Sequence, residues 1–217
     1  MTSHTPPTYS QRQTSMSRVT TSSPALVLAR FGRRTDGIAA VEFALIVPII
    51  LLMMVGAMEM SRAINMDRKL STVTSMIGDL ISREKDMGTN PVTTLNGMAD
   101  AIEHVLKPYD PAKLTLEIYP VMGFGTDGTD TKLYAPSYKY ANGNITVDKA
   151  RCTPHSLTAG LVNAGGSVIV VKGTYEYEAS SFASWAFEDA TWTDGSTHSP
   201  RHACVDFQDN NCVVSCN

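Results

Sequence analysis

A chain of 217 residues with a formal charge of −3 allows one membrane segment and one modest domain. The charge is uneven: residues 1–37 hold five arginines against Asp36, about +4, which leaves about −7 for the rest. The arginines lie in a Ser/Thr-rich tail rather than on a patterned, foldable face, which argues against a nucleic-acid binder.

Residues 1–29 carry few large apolar groups before Leu26 and bury too little surface to fold alone, so they read as a disordered leader. Arg30, Arg33 and Arg34 follow, then Gly37. From Ile38 to Met58 the chain is apolar with one charge, Glu42. As a helix rising 1.5 Å per residue, that stretch spans roughly 30 Å, the hydrocarbon thickness of a bilayer. The arginine flank places the N-terminal side in the cytoplasm, although Arg62, Arg68 and Lys69 beyond the helix make the asymmetry less sharp. A carboxylate inside such a segment is expensive and marks Glu42 as a functional candidate. Pro48 removes one backbone donor and is expected to kink the helix, which a membrane helix tolerates. Val55-Gly56-Ala57 resembles a signal-cleavage site, but the apolar run before it is too long and contains Glu42 and Pro48.

Beyond Met60, Ile64, Leu70, Val73, Ile77 and Leu80 recur at three- and four-residue spacings, which predicts an amphipathic helical extension ending near Met87–Gly88. Its apolar stripe is read as core. A turn at Gly88 to Pro91 precedes a short helix carrying Leu95, Met98, Ile102 and Val105-Leu106, ended by Pro108. Leu114, Leu116 and Ile118 alternate with Thr115, Glu117 and Tyr119 as in a strand. The stretch M-G-F-G-T-D-G-T-D reads as a loop. Lys132 to Tyr140 reads as one strand, weakened by Pro136. Asn142-Gly143 is a turn signal, and Ser167 to Glu178 is the clearest strand. The tail from Ser180 onward is polar. The expected organisation is a leader at 1–37, a transmembrane helix at 38–60, an amphipathic extension at 61–87 and an extracytoplasmic α+β domain with an antiparallel sheet at 88–217.

The four cysteines, Cys152, Cys204, Cys212 and Cys216, all lie beyond the apolar run. That placement suits disulfides in an oxidising compartment. Three pairings are possible: Cys212 with Cys216 requires a tight turn, and Cys152 with a C-terminal cysteine would tie the tail to the sheet. The chemistry-bearing candidates are weak. His198, His202 and Cys204 cluster near the C-terminus without four ordered ligands for zinc. Asp127 to Asp130 lacks the calcium-loop spacing. Gly123-Phe124-Gly125 precedes no helix and cradles no phosphate. There is no G-x-S-x-G and no P-loop, so neither a hydrolase nor an assembly ATPase is indicated. No cofactor or metal is expected.

The residues F-G-R-R-T-D-G-I-A-A-V-E-F-A-L-I-V-P-I-I-L-L resemble the signature of TadE-like proteins, minor pseudopilins of the tight-adherence (Flp, type IVc) pilus system. V-T-S-M-I-G-D-L-I-S, H-V-L-K-P-Y-D and S-V-I-V-V-K-G-T-Y-E-Y-E are similar to outer-domain blocks of the wider TadE/TadG-like group, with Ala179 standing after Glu178 where proline is frequent. The resemblance implies a pilin-like fold and a non-enzymatic role. It implies cleavage by a prepilin peptidase after Gly37, so that Ile38 becomes the first mature residue, Glu42 the fifth and Phe43 the aromatic of the motif. The implied partners are that peptidase, other pilin and pseudopilin subunits, the pilus assembly machinery and membrane lipid, in a bacterial inner membrane with the outer domain periplasmic. The alternative is an uncleaved single-pass anchor displaying a binding or adhesive domain.

Overall fold

The computed structural model describes residues 36–217 apart from 127, 181–182, 186–187, 209–211, 213–215 and 217, with Asp36 described for its backbone alone. The leader, with Arg30, Arg33 and Arg34, lies outside the described residues, as does Asp127. The chain forms two compact units, Met1–Leu52 and Met53–Asn217.

Helix α1 (Asp36–Arg83) is 48 residues long and runs on through Pro48. It ends at Arg83, short of the expected Met87–Gly88. Ala, Leu, Ile and Met are sound helix formers, but the decisive feature of its first half is exposure. Ile38, Phe43, Leu45, Ile49, Leu52 and Met53 all lie open, and the most apolar window of the helix has no buried share. It is the one helix among the described residues long and apolar enough to cross a membrane. A face of that kind in water would be a large unpaid exposure of apolar surface.

Within the second unit, Met66, Leu70, Val73, Ile77 and Ile81 of α1 are buried. The stripe therefore differs from the expected one at its edges: Ile64 is exposed and Leu80 half-buried, while Met66 and Ile81 take the core positions. Spacings of four, three, four and four keep these five on one face of a 3.6-residue helix. Helix α2 (Pro91–Leu106) starts as expected. The Asn90 carbonyl Oδ1 accepts from Thr93 N at 3.3 Å, and Pro91 occupies the first turn, where its missing donor costs nothing. Its Leu95, Ala99, Ile102 and Leu106 enter the same core.

The sheet is antiparallel throughout. Its strands are β1 (Leu114–Phe124), β2 (Asp130–Leu133), β3 (Tyr138–Ala141), β4 (Asn144–Val147), β5 (Ser167–Tyr177) and β6 (Ala190–His198), in the order β4-β3-β1-β5-β6, with β2 also on β1. The α+β class is as the sequence predicts. Leu114, Leu116 and Ile118 of β1 and Ile169, Val171, Tyr175 and Tyr177 of β5 face the helices. Tyr119, Val121, Leu133, Val162 and Val168 form a second, smaller cluster. Asn142 and Gly143 both take positive φ (51° and 76°), the geometry of a two-residue hairpin turn between β3 and β4.

Three strand assignments differ from the sequence reading. Met122, Gly123 and Phe124 belong to β1, not to a loop. Gly123 pairs with Thr131, and a side chain there would stand 2.7 Å from Asn163 O, so the glycine marks a close backbone approach. The Lys132–Tyr140 stretch is two strands, not one. β2 and β3 pair with successive halves of β1, and the gap between them faces Pro120, whose carbonyl accepts from Tyr134 N at 3.0 Å. Proline has no donor to return that bond, and the pairing of β1 with β2 ends there. Finally, the polar tail contains β6. Its inward side chains are polar and bond to α1: Thr74 Oγ1 donates to Asp194 Oδ2 at 3.0 Å, and Ser196 Oγ donates to Thr74 O at 2.8 Å.

The cysteines form Cys152–Cys216 and Cys204–Cys212, with Cα–Cα distances of 5.5 Å and 5.7 Å. Cys212 and Cys216, the closest pair in the sequence, do not join. The first bridge holds the end of the chain to the loop after β4.

Gly173 is where α1 seats on the sheet. A side chain there would meet Thr74 Cγ2 at 2.6 Å and Leu70 Cδ1 at 2.8 Å, whereas nothing lies within 4 Å of the same position at Gly97 on α2. Gly173→Val is therefore expected to destabilise the fold by about 1–3 kcal/mol, and Gly97→Ala to stabilise it by roughly 0.5–1 kcal/mol. Thermal unfolding of the full chain in detergent, followed by circular dichroism, checks both; equal effects would refute this seat.

Candidate functional site

The sequence candidates lie on the first turns of α1. Ile38 and Phe43 are 61% and 67% exposed, and Glu42 is exposed between them. Ile38 and Glu42 are four residues apart, so they share one helix face. Gly37 is informative in a different way. No atom lies within 4 Å of the position a side chain would take, and its φ is not in the left-handed region. Packing does not require glycine there, although glycine is among the poorer residues for a helix.

The second feature was passed over in the sequence. Glu59 is the only acidic residue between Glu42 and Asp67, yet it is buried, with 3% of its surface exposed. Its Oε1 accepts from Ser180 N at 2.9 Å and also from Ser180 Oγ, while Oε2 accepts from Tyr177 Oη at 3.1 Å. Arg62, one turn on, places a guanidinium nitrogen 3.8 Å away. A buried carboxylate is costly unless it is paired and hydrogen-bonded, and here three donors and one cation meet it. Burial, then the bond to Glu59, pushes the Tyr177 phenol up to about 12, so it stays protonated and donating at any physiological pH. The available signal was a lone acid one residue past the apolar run, with arginine at i+3.

Around it, α1 also holds the end of α2. Lys69 Nζ donates to Val105 O at 2.7 Å and Lys107 O at 2.6 Å, satisfying carbonyls that a helix C-terminus leaves unpaired. Tyr109 Oη donates to Arg62 O at 2.8 Å.

Residues 37–77 of this helix match the family model described as TadE-like protein. The N-terminal helix of this chain is TadE-like. The matched stretch begins at Gly37 and takes in Glu42, Phe43, Pro48, Glu59 and most of the core stripe. No curated protein and no solved structure matches the chain.

The other candidates do not come together as a site among the described residues. Cys204 is bonded to Cys212. The His198 ring packs on α1, where it would stand 2.3 Å from a side chain at Gly78. Among the described residues no group of three His, Cys, Asp or Glu side chains converges as a metal site would require. Gly123 and Phe124 end β1 and face no helix N-terminus.

The geometry at Glu59 predicts a graded series. Glu59→Gln keeps an acceptor for Ser180 N and is expected to cost less than Glu59→Ala, which strands the donors and loses about 3 kcal/mol. Hydrogen exchange at residues 177–180 in the full chain reports it: protection should fall most in the alanine variant. Unchanged protection there would show that the carboxylate does not hold this segment.

Proposed function

We propose that this chain is a minor pseudopilin, or pilus-assembly protein, of a tight-adherence pilus. The observation that carries the reading is the family match beginning at Gly37 on a helix whose most apolar window has no buried share. TadE-like proteins are structural and assembly components of such pili, and the role taken here is structural, without catalysis. The helix spans the inner membrane once. The arginines hold the N-terminus in the cytoplasm, and two disulfides in the second unit suit an oxidising periplasm.

In this reading a prepilin peptidase cuts between Gly37 and Ile38 and leaves a charged amine on Ile38. Glu42, one turn away, offsets that charge in its own chain or in a neighbouring subunit. The helix dipole favours a carboxylate in the first turn, and in low dielectric the pair is worth far more than in water. Phe43 completes the motif, and Pro48 gives the helix a local bend as it packs on neighbouring helices. The partners are the peptidase, the other pilin-like subunits and the assembly machinery.

The mature protein is expected to begin at Ile38, read by N-terminal sequencing of protein from piliated cells. Gly37→Ala should leave a larger, unprocessed protein and abolish function, an outcome that the uncleaved-anchor alternative does not produce. Glu42→Ala should still insert and be processed, but leave the amine unpaired at a cost of about 3–5 kcal/mol. Surface pili should then fall by on the order of a hundredfold. Wild-type piliation in that variant would remove Glu42 from the mechanism.

A further inference from the structure

Arg62, Arg68 and Lys69 follow the apolar run within a few turns, on the side of a membrane segment where basic residues are ordinarily sparse. All three line one open cleft of about 740 Å³. Arg62, Asn65 and Lys69 share a face of α1, with Arg68 beside them, and Tyr109 and Glu178 belong to the rest of the described lining. Lys69 is engaged with the end of α2, donating to Val105 O and Lys107 O. The two arginines keep their donors. Arg62 stands 3.8 Å from Glu59, outside hydrogen-bond reach, and the Glu59 oxygens are already met by Ser180 and Tyr177. The Arg68 guanidinium has no hydrogen bond or ion pair among the described residues. Glu178, the one carboxylate in the described lining, is paired with Lys113. With Glu59 and Lys113 counted, four cations stand against two carboxylates at the cleft, in a chain that carries about −7 beyond residue 37.

That excess lies at a telling depth. Arg62 is four residues past Met58, about 6 Å along the helix, which is the headgroup layer when α1 spans a bilayer. The Cα–Cβ bonds of a helix tilt toward its N-terminus, here the bilayer side, so the Arg68 side chain sets off toward the same layer. A guanidinium fork matches two phosphate oxygens at once. We infer that this cleft holds the phosphate of an anionic phospholipid from the outer leaflet, with Arg62 and Arg68 donating to its oxygens. The inference rests on the membrane-spanning reading of α1. A zwitterionic lipid fits worse, because its ammonium group would sit beside two arginines. The bound headgroup fixes the height of the Glu59 joint at the bilayer surface.

Native mass spectrometry of the full chain released from detergent micelles tests this, with phosphatidylglycerol and phosphatidylcholine of equal acyl chains supplied together. Phosphatidylglycerol should be retained over phosphatidylcholine by on the order of tenfold, and Arg68→Gln should cut that preference about fivefold. Lys172→Gln, which removes a cation on β5 outside the cleft lining, should leave it intact; thermal unfolding by circular dichroism confirms that both variants are folded. Equal retention of the two lipids would overturn the inference, as would equal losses in the two variants or no loss in Arg68→Gln. Inorganic phosphate forms a further arm: its retention without any preference between the lipids would make this a site for a free anion and overturn the lipid. Resistance of the chain to carbonate extraction from membranes reports the spanning helix separately; its release would overturn that reading and the headgroup site with it.

Discussion

At Glu59, α1 changes from apolar all round to apolar on one stripe. On one side lies the apolar run Ile38 to Met58, mostly exposed; on the other, Met66, Leu70, Val73, Ile77 and Ile81 are buried. Between these regimes only Ala63 is packed against the apolar core. The carboxylate supplies a polar joint there, bonded to the end of β5 and to the segment after it. Lys69 and Tyr109 hold the end of α2 to the same few turns. The sheet and both helices thus converge on the stretch that emerges from the apolar run.

The energetics favour a joint of this type. Apolar packing is non-directional and would let a long helix slide or rotate against a sheet. A buried carboxylate with defined donors has one good geometry and a steep penalty elsewhere. Glu59 therefore contributes registration more than net stability. Gly173 does the complementary work further along: by having no side chain it lets Leu70 and Thr74 sit close on β5, and Thr74 in turn bonds both Asp194 and Ser196 of β6.

What was legible in the sequence followed from periodicity and from apolar length. The helix, its stripe, α2 and β5 all carry patterns that burial imposes directly. β6 was missed because Asp194 and Ser196 face the helix through polar bonds, so no apolar alternation marks the strand. The split between β2 and β3 was hidden because it depends on where β1 runs past them, a fact of pairing and not of local composition. Glu59 was missed for a related reason. Its importance comes from Ser180 and Tyr177, more than a hundred residues away in the chain, and no local pattern announces them. The cysteine pairing was open for the same cause.

The glycines separate what folding requires from what it does not. At Gly78, Gly123 and Gly173 a side chain would collide with His198, with backbone or with α1, and packing alone accounts for the residue. At Gly37 nothing would collide, and the helix would be firmer by about 1 kcal/mol with alanine. A proteolytic enzyme generally needs its substrate extended around the bond it cuts, and the first turn of a helix is where unwinding is cheapest, since its amides lack intrahelical partners. Glycine lowers that cost further at the one bond that the processing reading selects. The same residue that weakens the helix there would let a peptidase open it without disturbing the apolar turns beyond Phe43.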